Sequence, residues 1–249
     1  MTLLPDWRRH LARELSAYAA RLADAVATGR LDAAVAACPG WTVRDLTTHL
    51  IGLHRWVAGA VTDQTGRRDS DPTPADDQLL ALFDETAASV LHVLDRPATD
   101  PAWSFADDRT VGFWQRRQPH EHAIHRWDLE VALGRSPELD EELAQDGVDE
   151  VVRMFWPRQI ALGRTQAPTD SLTLRIPGTA RSWVLGDPND PAPTPCAEVS
   201  GTGAALVLLL WGRLAPGHST SSGTLAAGQL SWSGDEERGR ALLDLAITP

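Results

Sequence analysis

The chain has 249 residues, of which 43% are hydrophobic, and a formal net charge of −11. It can therefore bury a core, but it lacks the basic surface that strong binding to nucleic-acid phosphates requires. No apolar run approaches the ~18 residues of a membrane span, and no apolar signal core follows the N-terminus, which predicts a soluble, cytoplasmic protein. All 23 basic residues are arginine, which excludes lysine catalysis and suggests a GC-rich, actinobacterial genome.

The two cysteines, Cys38 and Cys196, lie far apart in sequence and form no CxxC motif. Two cysteines are too few for a disulfide scaffold. Any thiol chemistry is therefore expected to use a thiol that arrives with a substrate or cofactor. We interpret Cys38 as a loop residue before a helix rather than as a nucleophile.

Apolar residues recur every three or four positions through the first half of the chain, which is the pattern of amphipathic helices. The predicted helices cover residues 11–26, 42–61, 74–94, 111–133 and 139–156. Thr42 and Asp45 have the spacing of a capping box. Pro119 lies inside the fourth helix, where the missing hydrogen bond predicts a kink or break. The first four helices predict a four-helix bundle within residues 1–165.

Residues 166–249 contain shorter segments with the alternating polar and apolar pattern of half-buried strands. The predicted strands cover residues 171–176, 181–185, 197–200 and 229–232, and the predicted helices cover residues 202–211 and 235–245. The fold class is therefore predicted to be α+β. A helical bundle comes first, and a small C-terminal α/β sandwich domain follows it.

A possible metal site combines residues from two of the predicted bundle helices. His49 lies one turn from Leu46 and Leu53, on a mostly apolar face. Glu121 and His125 are four residues apart and therefore share one face of their helix. Two imidazoles and one carboxylate suit zinc or another divalent transition metal, and three protein ligands leave positions open, as in catalytic sites.

Other interpretations of these residues remain open on spacing alone. A histidine on an apolar face is commonly a hydrogen-bonded core residue, and Glu121 with His125 also fits a solvated i,i+4 pair. The run His120-Glu121-His122 is not a zincin motif, because position 124 is isoleucine.

The segment Cys38-Pro39-Gly40-Trp41-Thr42-Val43-Arg44-Asp45-Leu46-Thr47-Thr48-His49-Leu50 closely resembles a signature of the mycothiol-dependent maleylpyruvate isomerase family. This family belongs to the wider DinB-like superfamily of metal-binding four-helix bundles. The segment Glu121-His122-Ala123-Ile124-His125-Arg126-Trp127-Asp128 resembles its second signature. The region from Ser200 to Leu214 resembles the core of its C-terminal domain. The resemblance spans the whole chain in the right order, but it is much more specific for the family than for the reaction.

The resemblance implies that His49, Glu121 and His125 bind a divalent metal, usually zinc, and that mycothiol is a cosubstrate. It also implies that Arg213 lies near the site at the domain boundary, where it binds a substrate carboxylate; a structural salt bridge is the alternative role. Asp128 matches a family position too. It either orients a ligand histidine or pairs with Arg126 or Arg181.

Three functions are open at this point. The first is a metal-dependent enzyme that uses mycothiol for cis–trans isomerisation or S-transfer on a small electrophile, working as a monomer or homodimer. The second is a binding or sensor protein on the same scaffold. The third is a metal-dependent hydrolase, in which Asp128 or His120 is the candidate base.

The remaining histidines are interpreted as peripheral. His10, His92 and His218 are predicted to be exposed, and His54 and His122 are predicted to lie at the surface or at the rim of the bundle.

Overall fold

The computed structural model describes residues 6–68, 74–190, 192–214 and 230–249. The chain divides into two compact units, Met1–Pro137 and Glu138–Pro249. This division precedes the predicted fifth helix, whereas the sequence pattern predicts a boundary between residues 165 and 166.

The first unit is the predicted helical bundle. Its helices are α1 (Trp7–Ala27), α2 (Val43–Thr62), α3 (Asp76–Val93) and α4 (Val111–Ala132). Helix α2 packs against α3, and α1 packs against both α3 and α4. Their apolar stripes form one core, whose largest fully buried side chains include Trp114, Tyr18 and Phe83. The periodicity of the sequence thus predicted both the helices and their buried faces.

The start of α2 is fixed by the capping box that the sequence predicted. The backbone N–H of Asp45 donates to the Thr42 hydroxyl at 3.3 Å, and the backbone N–H of Thr42 donates to the Asp45 carboxylate at 2.8 Å. These bonds satisfy backbone donors that a helix N-terminus leaves unpaired. They also set the register of α2, and with it the direction of every side chain that this helix presents.

Helix α4 runs without interruption through Pro119, so the predicted break is absent. Proline removes one backbone hydrogen bond, but Trp114 and Ile124 on either side are buried in the unit. Their packing offsets the lost bond, and tertiary context overrides the local signal.

The second unit contains α5 (Glu141–Glu150), a π-helical turn (Val151–Phe155) and α6 (Trp156–Ala161). Strands β1 (Leu172–Arg175), β2 (Ser182–Leu185) and β3 (Ala197–Ser200) follow, and then α7 (Gly203–Leu210). Strand β4 (Ser231–Gly234) and α8 (Glu236–Leu243) complete it. Helix α5 packs against α7, which places the predicted fifth helix in this unit.

The four strands form one mixed sheet in the order β2-β1-β3-β4. β1 pairs with β2 in antiparallel and with β3 in parallel orientation, and β4 is antiparallel to β3. The observed β4 begins two residues after the start of the predicted 229–232 segment, and Gln229 lies outside the described residues. The α+β architecture agrees with the prediction.

No helix in the described parts of the chain has the length and apolar character needed to cross a membrane.

The prediction that His54 and His122 are peripheral is wrong, because both side chains are fully buried in the bundle. Their Nε2 atoms lie 2.7 Å apart. His122 Nδ1 lies 2.8 Å from the carbonyl of Gln118 and must donate to it, so neutral His122 accepts from His54. His10 is also buried, contrary to prediction, and His218 lies outside the described residues.

Replacing Thr42 by alanine is expected to lower the free energy of unfolding by about 1 kcal/mol, because the capping bonds at the start of α2 are lost. Chemical denaturation measures this change. Thr62→Ala, at the exposed last residue of the same helix, is the control and is expected to change stability by less than about 0.5 kcal/mol. Equal effects of the two substitutions would contradict the capping role.

The buried histidine pair predicts a loss of stability in mild acid. Burial, and then the neighbouring imidazole, lowers the pKa of His54 well below its usual value; burial lowers the pKa of His122 to about 4. Between pH 6.5 and about 5 the unfolded chain therefore binds protons that the folded chain does not. In metal-free protein the free energy of unfolding is expected to fall by about 1–3 kcal/mol over this range.

Urea unfolding at several pH values measures this fall. His125 does not obscure it, because its folded pKa is raised and its contribution is already complete below pH 6.5. His122→Gln is expected to flatten the pH dependence, whereas His92→Gln, at an exposed position, is expected to leave it unchanged. An unchanged slope in His122→Gln would contradict this assignment.

Candidate metal centre

Helix α2 places His49 at the edge of the bundle, where its side chain is 22% exposed. The imidazole lies beside the indole of Trp41, with ring centroids 5.1 Å apart. Trp41 immediately precedes the capping residue of α2, so the turn that starts the helix also supplies one wall beside His49. The ring nitrogen Nε2 of His49 points toward α4.

Helix α4 contributes Glu121 and His125 from consecutive turns. Both side chains are largely buried, and His125 Nε2 lies 3.3 Å from Glu121 Oε1. His49 Nε2 lies 3.3 Å from the same oxygen. The structure therefore brings the three residues together, with two imidazole nitrogens directed at one carboxylate oxygen.

Arg117 holds the other oxygen of Glu121. It lies one turn earlier on α4, is buried, and donates from Nη2 to Glu121 Oε2. Burial raises the pKa of Glu121. The Arg117 guanidinium and the two imidazoles lower it by a larger amount, so that the pKa lies well below its usual value. Glu121 is therefore ionised at neutral pH and provides a negative charge between the two histidines.

Asp128 fixes the orientation of His125. Its Oδ2 lies 3.1 Å from His125 Nδ1, and its side chain is buried. Burial lowers the pKa of His125, but the bonds to Asp128 and Glu121 raise it to about 9. Asp128 accepts a hydrogen bond from Nδ1, which keeps a proton on that nitrogen. The Nε2 lone pair therefore becomes available to a metal once Nε2 loses its own proton.

The three donor atoms fit a divalent metal ion. They belong to the group His49, Glu121 and His125, whose potential ligand atoms all lie within 4.8 Å of one another. Two neutral imidazoles and one carboxylate form a donor set that zinc and other divalent transition metals accept. A carboxylate behind one histidine is the usual support of a metal-binding imidazole.

Cys38 belongs to a second group that shares His125. Its Sγ and the ligand atoms of His125 and Asp128 all lie within 4.8 Å of one another. Cys38 is partly buried in the turn before α2, where the sequence predicted a loop residue. Its thiol is therefore a possible alternative metal ligand that shares His125 with the group formed by His49 and Glu121.

Arg213 belongs to the second unit, directly after α7. Its Nη1 donates to the backbone carbonyl of Trp211 at 2.6 Å, and its guanidinium lies 5.7 Å from the centre of the Trp211 ring. Its predicted role in binding a carboxylate remains a prediction. The candidate base His120 is buried, with its ring 5.9 Å from that of Trp7.

Arg117 is a site residue that the sequence patterns did not predict. Its spacing of four residues before Glu121 is the signal that identifies it, because residues at i and i+4 on a helix are neighbours. Many exposed pairs share this spacing, so the signal becomes specific only when the structure shows that Arg117 is buried.

Comparison with known proteins agrees with the fold and with the sequence signatures. Residues 12–130 match the model of the mycothiol maleylpyruvate isomerase N-terminal domain, and residues 142–238 match the model of the corresponding C-terminal domain. No curated protein sequence matches the chain significantly.

Two solved structures resemble the whole chain. One is a crystal structure of the mycothiol-dependent maleylpyruvate isomerase, with 16% sequence identity, coverage of 94% of this chain and 96% of that one, and a TM-score of 0.65. The other is a histidine-to-alanine mutant of that isomerase, with the same identity and coverage and a TM-score of 0.62. At this identity they establish the fold. The two domain models, which match most of the chain, show that it belongs to the mycothiol-dependent maleylpyruvate isomerase family of enzymes.

Proposed function

We propose that this enzyme binds one divalent metal ion, preferably zinc, through His49, Glu121 and His125. We further propose that it uses mycothiol, or a similar small thiol, for cis–trans isomerisation or S-transfer on a small carboxylate-bearing electrophile. The observation that carries the proposal is the convergence of His49 Nε2 and His125 Nε2 on Glu121 Oε1, each at 3.3 Å. Family membership supports the use of the thiol.

A divalent metal held by these residues supplies a Lewis acid that favours the thiolate form of a thiol at neutral pH. The protein residues define the environment in which this happens. Ionised Glu121 offsets positive charge at the site, and Arg117 fixes one of its oxygens so that the other faces the histidines. Asp128 holds the ring of His125 in one orientation, which keeps the donor atoms together before any ligand arrives.

In the isomerase reaction, the thiolate adds to one carbon of a cis double bond conjugated with a carbonyl group. The electron pair of that bond moves onto the carbonyl oxygen, and the resulting single bond rotates. When the electron pair returns, the carbon–sulfur bond breaks, and the trans product and the thiolate are released. S-transfer shares the addition step, but the adduct takes up a proton and leaves as the S-conjugate.

The carboxylate of such a substrate requires a cationic partner. Arg213 is the proposed partner from the second unit, because a guanidinium binds a carboxylate through two parallel hydrogen bonds. Its Nη1 donates to the carbonyl of Trp211.

Requirement for a thiol separates this proposal from the two alternatives. A hydrolase on this scaffold would act without added thiol, and a binding or sensor protein would hold metal without turnover. Asp128, a candidate base for the hydrolase, interacts with His125 Nδ1, which disfavours that reaction.

Purified wild-type protein is expected to hold about one metal ion per chain, and His49→Ala is expected to lose it, because one of three donors is removed. Elemental analysis after zinc loading and dialysis measures this. His92→Ala, at an exposed position outside the site, is the control and is expected to retain metal. A wild-type protein that stays metal-free after zinc loading would overturn the proposal.

Asp128→Asn is expected to weaken zinc affinity by about 10–100-fold, because an amide supports the His125 imidazole less well than a carboxylate does. Competition with a chromogenic chelator measures the affinity. The unfolding free energy of the metal-free variant, measured in parallel, separates this effect from a general loss of stability. Asp84→Asn, at an exposed position on α3, is the control, and equal affinities of the two variants would contradict the role of Asp128.

A further inference from the structure

The two histidines of the candidate metal centre differ at Nδ1. His125 Nδ1 faces the Asp128 carboxylate, which accepts a hydrogen bond from it. His49 Nδ1 lies 3.5 Å from Nη2 of Arg68, which is itself only a donor. Among the residues that the structure describes, no carboxylate or carbonyl oxygen accepts from His49 Nδ1. A histidine that binds metal through Nε2 carries its proton on Nδ1 and normally donates it to an acceptor.

Arg68 is exposed and lies beside this position. Its guanidinium carbon is 5.7 Å from the centre of the Trp56 ring. Within the described part of the chain, no carboxylate forms an ion pair with Arg68. With metal on His49 Nε2, the Nδ1 hydrogen and the Arg68 guanidinium are therefore two donors directed at the same small space.

The segment that carries Arg68 is held in place by aromatic side chains. The Trp56 indole donates to the carbonyl of Gly66 at 3.1 Å. Gly66 also packs so closely on Trp103 that a Cβ at this position would lie 2.2 Å from the ring. These contacts fix the backbone two residues before Arg68.

A cavity of about 660 Å³ lies further along α2. Its lining includes Gly52, Trp56 and Thr65, but neither His49 nor Arg68. Gly52 comes one helical turn after His49, and Trp56 comes one turn after Gly52. The cavity therefore begins one helical turn beyond His49 on α2 and includes the Trp56 ring beside Arg68.

We propose that Arg68 and the Nδ1–H of metal-bound His49 together bind a carboxylate group of the substrate. This inference rests on the proposed function, since it assigns the Nε2 lone pair of His49 to the metal. One carboxylate oxygen placed between the two nitrogens accepts from both, and the charge of Arg68 strengthens the bond. Arg213, which belongs to the other unit, is already the proposed partner for a substrate carboxylate. The pair formed by Arg68 and His49 is therefore a separate subsite.

The test uses maleate, a small cis-dicarboxylate, as the probe. Isothermal titration calorimetry measures its affinity for zinc-loaded wild type, Arg68→Gln and Arg9→Gln. Arg68→Gln is expected to weaken binding by about ten-fold or more, because a charge-assisted hydrogen bond is lost. Arg9→Gln makes the same charge change at an exposed position on α1 and is expected to weaken it by less than about two-fold.

A spectroscopic measurement reports on the proposed bond directly. In ¹⁵N-edited NMR spectra of the zinc-loaded protein, maleate is expected to shift the His49 Nδ1–H resonance in wild type and not in Arg68→Gln. Unchanged maleate affinity in Arg68→Gln, or equal losses in the two arginine variants, would overturn the subsite. Either result can be obtained with wild-type protein that still holds its zinc, so it would count against the subsite alone. Absence of bound zinc in the wild-type protein would overturn the proposed function itself.

Discussion

The candidate site depends on one buried carboxylate, that of Glu121. Its Oε2 accepts from Arg117, and its Oε1 faces the Nε2 atoms of His49 and His125. A buried charge is costly unless it is paired and hydrogen-bonded, so each of these neighbours has a structural consequence as well as a chemical one. The arginine keeps the carboxylate ionised, and the ionised carboxylate holds two imidazoles within reach of one ion.

The bundle makes this arrangement possible by supplying donors from two helices. Helix α4 presents Arg117, Glu121 and His125 at intervals of four residues, so that they follow one another along a single face. Helix α2 supplies His49 in a register that its capping box sets. Asp128 then supports His125 from behind, whereas Nδ1 of His49 faces Arg68. The asymmetry gives one histidine a carboxylate support and places an exposed arginine beside the other.

Local patterns in the sequence predicted much of this structure. Apolar periodicity predicted α1 to α4, and the spacing of Thr42 and Asp45 predicted the start of α2. Features set by tertiary packing were not predictable in this way. The continuity of α4 through Pro119 and the burial of His54 and His122 depend on which helices meet, and the spacing of one helix carries no information about the residues opposite it. The clustering of His49 with Glu121 and His125 was expected from the bundle geometry and, more strongly, from the family resemblance.

The central claim is that the metal donors are His49 Nε2, Glu121 Oε1 and His125 Nε2. The competing group contains Cys38 and Asp128 and shares His125 with this one. X-ray absorption at the zinc edge of the zinc-loaded protein, without added thiol, distinguishes the two groups directly. The account predicts two imidazoles and otherwise only oxygen in the first coordination shell. A sulfur ligand at about 2.3 Å from zinc would place the ion at Cys38 and would contradict it.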